Sequence, residues 1–122
     1  MGVITASQAP TFDVGGAIIT GLASPSRGSA DSAAWRVRFR PDQPSPPHAL
    51  SREEIFVVLE GSITARFADR EETAEAGSAL IVPAGQEFAL IATGGPAEAV
   101  CIMAVGGQAI ADGSAFTPPW AQ

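Results

Sequence analysis

The sequence predicts an all-β domain, a sandwich or barrel of short strands, and three observations carry that prediction. Thirteen glycines and ten prolines punctuate a 122-residue chain that is 46 % hydrophobic, the composition of many short elements joined by turns rather than of a helical bundle. Residues Trp35 to Arg40 alternate strictly, with Trp35, Val37 and Phe39 on one side and Arg36, Arg38 and Arg40 on the other; a period of two is the signature of a half-buried strand. Apolar runs recur at roughly eight- to twelve-residue spacing with no helical pattern between them.

In chain order, Phe12 to Ala23 reads as one first strand with a bulge at its glycines, Gly15, Gly16 and Gly21. Ser24 to Ser32 is a polar loop, and the alternating segment from Trp35 follows it. Pro41 to Pro47 (PDQPSPP) is a loop, because prolines cannot donate to a ladder. Glu54 to Glu60 is a strong strand, turned at Gly61 into Ser62 to Phe67. Asp69 to Glu72 forms an exposed hairpin tip, and Thr73 to Glu75 a short strand closed by Gly77. Ala79 to Val82 and Glu87 to Ala92 are expected to pair across the Pro83-Ala84-Gly85 turn. After Gly94-Gly95-Pro96, Glu98 to Val105 is the last long strand, and Gly106 to Gln122 is a tail. A single domain therefore covers 1–122, with the barrel at about 12–105.

Composition excludes several functions. The net charge is −6, and all seven cations are arginines, so a nucleic-acid partner is not expected. The longest apolar run, Ala99 to Val105, is far too short to span a bilayer. The start, MGVITASQAP, has no basic secretory n-region, and with one cysteine a cytoplasmic location is expected. Cys101 has no basic neighbour in sequence and reads as a buried, unreactive thiol.

Residues 48 to 88 resemble a cupin. The first cupin motif, G-x5-H-x-H-x(3,4)-E-x6-G, is met by His48, Glu54 and Gly61, and the second, G-x5-P-x-G-x2-H-x3-N, by Gly77, Pro83 and Gly85. The resemblance implies a double-stranded β-helix, or jelly-roll, barrel with a pocket at one mouth. It also implies a metal held by three histidines and the glutamate, and here this sequence departs. Leu50 and Phe88 stand at two histidine positions, Asp42 at the opening glycine and Ala92 at the closing asparagine. Loss of two ligands lowers affinity by at least ~10²–10⁴-fold on the scale set by second-shell losses. No cofactor is therefore expected; a divalent metal remains the alternative, with His48 and Glu54 the only candidate ligands.

The expected ligand site is the barrel lumen, with His48 and Glu54 at its polar end and Leu50, Phe56, Val58 and Phe88 as its apolar wall. Shared parity along each strand supports the grouping. A carboxylate beside Phe56 and Val58 needs a partner, and His48 is the expected one. Two function classes follow: a small-molecule-binding cupin, or an enzyme (isomerase, cyclase, dehydratase or decarboxylase) using His48 as proton carrier and Glu54 as its orienting partner. A metal-dependent dioxygenase is third, its ligand set being incomplete. Which face of the Trp35–Arg40 strand lines the pocket stays open, so the arginine stripe is either a solvated outer face or an anion-binding wall. Ile55, Val57 and Leu59 point outward if Glu54, Phe56 and Val58 point in, and their cover is expected from a homodimer. Trp120, after two prolines, is expected to dock on the barrel or on a partner subunit.

Overall fold

A computed structural model describes residues 2–122. Its strands are β1 (Thr11–Asp13), β2 (Ala17–Ala23), β3 (Ser32–Phe39), β4 (Ala49–Leu50), β5 (Glu54–Glu60), β6 (Ser62–Arg66), β7 (Glu71–Glu75), β8 (Ala79–Val82), β9 (Ala89–Ala92), β10 (Ala97–Ala104), β11 (Ala109–Ala111) and β12 (Ser114–Phe116). Single 3-10 turns at Pro25–Arg27 and Pro119–Ala121 are the helical segments of the described residues. A six-stranded sheet, β1-β2-β3-β10-β5-β8, faces two three-stranded sheets, β7-β6-β9 and β12-β11-β4. The domain is an all-β jelly-roll barrel, as the sequence predicts.

The alternation that marked β3 decides its orientation. Trp35, Val37 and Phe39 are buried inward, while Arg36 and Arg38 lie exposed on the outer face. Both arginines reach the buried Glu98 of β10, at 3.3 and 3.7 Å. Arg40 pairs with Asp13 at 2.9 Å and holds its carboxyl down at about 2. The stripe is thus an outer face bearing ion pairs, and no part of the interior.

Four details differ from the sequence reading. Phe12 to Ala23 is two strands, β1 and β2, folded at Val14–Gly16, where the Val14 N–H bonds to the Ala17 carbonyl (3.0 Å) and Gly15 takes φ +90°. The bulge falls at only one of the three expected glycines, Gly21, where the register between β2 and β3 shifts before Ala23. β8 and β9 do not pair: β8 joins β5 and β9 joins β6. Their connecting turn bonds outward, the Gly85 N–H donating to Leu50 O (2.8 Å), so the chain crosses between sheets. The tail is ordered, since β11 pairs with both β12 and β4, and Arg27 donates to the Trp120 carbonyl at 3.0 Å.

Gly61 shows why the β5–β6 turn requires glycine. Its φ is +72°, and a Cβ there would lie 2.5 Å from Pro96 O and 3.1 Å from Ala97 Cβ. The Pro41–Pro47 loop lacks regular pairing, yet two of its three non-proline donors, Asp42 and Ser45, bond to Ala92 O and Leu90 O at 2.7 and 2.8 Å. This ties the loop along β9 and fixes where His48 begins the next segment.

Candidate functional site

The barrel is packed at one end and hollow at the other. At the packed end Val58, Ile63, Ala65 and Ala99 are all essentially inaccessible. At the hollow end Gly16, Ala17, Ala109 and Ala111 present little side-chain bulk, and a cavity of about 590 Å³ remains between the sheets. Its walls are mostly apolar: Trp35 and Phe39 from β3, Phe56 from β5, Met103 from β10, and Phe116 and Trp120 from the C-terminal segment. Trp120 meets Phe12 edge-on at 5.9 Å and Trp35 at 6.5 Å, so the segment after β12 closes one side of the cavity.

Of the expected site residues, His48, Leu50, Glu54 and Phe56 line this cavity. Val58 and Phe88 do not. Val58 is one inward step further along β5, within the packed end. Phe88 sits behind the wall, its ring 4.6 Å from His48 and 6.2 Å from Phe56. Residues the sequence did not assign to the pocket, Trp35, Phe39, Met103 and Trp120, supply much of its surface. The β3 alternation was the available signal for Trp35 and Phe39, once the inward face is known. Trp120 and Phe116 carry no signal of this kind, because the tail reaches the cavity through contacts between segments distant in sequence, the β4–β11 pairing and the bond from Arg27 to the Trp120 carbonyl.

His48 and Glu54 are not partners. No hydrogen bond or ion pair joins them among the described residues; the His48 Nδ1–H donates to Pro46 O at 3.0 Å instead. Since a carbonyl only accepts, that bond places the proton on Nδ1 and leaves Nε2 as the ring's other polar atom. His48 is half-buried at the cavity wall. Its backbone is clamped to Phe88 by two hydrogen bonds, at 3.0 and 2.8 Å.

Glu54 is buried at the start of β5, opposite Val82 of β8 and Met103 of β10. Burial pushes its carboxyl up to about 8, with a hydrogen bond from the neighbouring Cys101 thiol opposing the rise. Cys101 is fully buried, and burial together with Glu54 raises its own pKa. At neutral pH Glu54 is therefore mostly a neutral carboxylic acid, which both donates and accepts a hydrogen bond.

The donor set does not fit the four-ligand metal implied by the resemblance. No three His, Cys, Asp or Glu side chains converge among the described residues. The Phe88 ring fills the space beside His48, and Leu50 presents hydrocarbon to the cavity.

The family described as Cupin domain matches residues 35–103, from the β3 alternation to the end of β10. The chain belongs to the cupin domain family. No curated protein matches it. Among solved structures, this cupin is similar to the polyketide cyclase RemF from Streptomyces resistomycificus, with a TM-score of 0.78 at 20 % identity, covering 97 % of this chain and 89 % of that one. KdgF from Halomonas sp. gives 0.72 at 16 % identity over 85 % and 93 % of the two chains. A single-residue variant of the oxalate decarboxylase of Bacillus subtilis gives 0.77 at 16 %, over 94 % of this cupin and 32 % of that chain. These likenesses establish a shared fold.

Proposed function

We propose that this cupin binds a small molecule in its barrel cavity, one with a flat apolar body and a single polar group turned toward Glu54. One observation carries the reading: a cavity of about 590 Å³ with largely aromatic and aliphatic walls meets a single buried acid. Small-molecule sites typically have this size and this composition, apolar walls with a few fixed polar groups. A polyketide-like aromatic body suits those walls, in keeping with the activity named for RemF. The test is a fragment screen by two-dimensional NMR on wild type and Glu54→Ala. Aromatic hits should perturb cavity residues and weaken in the variant; hits that perturb only outer-face residues contradict the reading.

A second reading is favoured by the protonation of Glu54. A neutral carboxylic acid in an apolar cavity is poised to give a proton to a bound substrate, as an isomerase, cyclase, dehydratase or decarboxylase requires. In that case Glu54 is the proton donor and His48, held by Pro46, a separate polar contact.

We also infer that two copies pair through the outer face of the six-stranded sheet. Leu59, Ile81 and Ile102 are exposed there, on the adjacent strands β5, β8 and β10.

A further inference from the structure

We infer that the polar group of the cavity's ligand is an uncharged hydrogen-bond acceptor, a ketone- or quinone-type carbonyl seated against Glu54, and that the cavity rejects carboxylates and phosphates of the same shape. This rests on the cavity being the ligand site, and it names the ligand's chemistry. The first support is where the protein keeps its positive charge. None of the seven arginines lines the cavity. Arg36 and Arg38 face Glu98 on the outer sheet, Arg40 faces Asp13, Arg66 faces Glu71, and Arg70 faces Asp69 and Glu72. Arg27 is committed to the carbonyls of Leu22 and Trp120, and Arg52 is exposed in the turn before β5. An anion entering the cavity would give up its water and find no guanidinium to pair with, which is costly in a low-dielectric site.

The second support is what the cavity does offer. Glu54 is the one carboxyl in its lining, and neither strand partner of Glu54, Met103 or Val82, carries a charge. The titratable groups facing Glu54 are Cys101 from β10 and His48 across the cavity. Neither supplies a permanent positive charge that would hold the carboxylate ionised. The neutral acid therefore presents its O–H to the interior, and a carbonyl oxygen is the acceptor that matches it. A protonated amine would need its ammonium and the carboxylate both stripped of water, the expensive way to form an ion pair. The flat aromatic walls select the conjugated body that carries such a carbonyl.

Three shape-matched probes separate the outcomes: 2-acetylnaphthalene, 2-naphthoate and 2-naphthylmethylamine, titrated calorimetrically into the full chain. At pH 6.5 the ketone should bind at least about tenfold tighter than the naphthoate. From pH 6.5 to pH 9.5 its affinity should fall at least about threefold as Glu54 loses its proton, in line with the population of the competent form. Glu54→Gln keeps an N–H donor in the same place and should abolish that pH response; any response left there counts against the inference. Naphthoate binding as tightly as the ketone overturns the inference, as does tightest binding of the amine with proton release. If none of the three binds, the cavity reading itself falls. The three-probe comparison needs only wild-type protein, so it stands whatever the fate of the variant.

Discussion

The rings of His48 and Phe88 lie 4.6 Å apart, across a bridge in which each residue's N–H donates to the other's carbonyl. The resemblance implies that a cupin metal site would have histidine at both places. Here one has become the aromatic backing of the other, and the second departure, Leu50, lines the cavity as hydrocarbon. What remains at the polar end is Glu54, buried without an ion-pair partner among the described residues.

Metal content follows from that exchange. Wild type dialysed against zinc and then against buffer should retain well below one equivalent by elemental analysis. Leu50→His/Phe88→His restores a four-donor set and should retain about one equivalent, the stoichiometry of a three- or four-ligand site.

Glu54 should make stability fall as pH rises. Its carboxyl is raised from 4.5 to about 8 in the folded protein, so the folded state binds more protons than the unfolded state between those values. Stability is then greatest below about pH 4.5 and declines until about pH 8, by on the order of 4 to 5 kcal/mol for this group alone. Urea unfolding from pH 5 to pH 9 should show the decline in wild type and a flatter profile in Glu54→Gln.

Asp13 contributes in the opposite sense. Its carboxyl is lowered from 3.8 to about 2, first by the Arg40 hydrogen bond, so its stabilisation is present above about pH 4 and is lost as pH falls through 2. Asp13→Asn should flatten the acid limb of the unfolding curve between those values without changing the behaviour near neutrality.

Much of the barrel was legible because the strands carry local signals: alternation in β3, apolar runs in β5 and β10, and glycines at turns such as Gly61. Motif spacing for His48, Leu50 and Glu54, and strand parity for Phe56, also grouped four residues that line one cavity. The partnerships between distant segments were not legible. β8 pairs with β5, from Glu54–Val82 to Val57–Ala79, and not with β9, a register between distant segments that no local pattern announces. The pairing of His48 with Glu54 was an inference from charge alone, and Pro46, two residues before His48, satisfies the imidazole instead. The docking of Trp120 on the barrel was legible, but the strands of the tail were not, since β11 pairs with β4, far away in sequence.

The C-terminal wall gives a further prediction. Trp120→Ala removes contacts with Phe12 and Trp35 and should cost about 2 kcal/mol in urea unfolding. Amide exchange should rise through β11 and β12, while β3 and β10 keep their protection.

Pairing through the outer sheet is checked by sedimentation. Wild type should run as a dimer at micromolar concentration, and Ile81→Glu, placing a charge among exposed apolar side chains, should run as a monomer with its barrel intact by circular dichroism.

The claim that the barrel cavity is the ligand site is tested most directly by its two tryptophans. The chain holds only Trp35 and Trp120, and both line the cavity, so their indole N–H resonances report on its interior. Titration with 2-acetylnaphthalene should shift both indoles together, saturating with a single Kd shared with the Phe56 and Met103 amides. Saturable shifts confined to Ile81, Leu59 or other outer-face residues, with both indoles unmoved, would contradict the account.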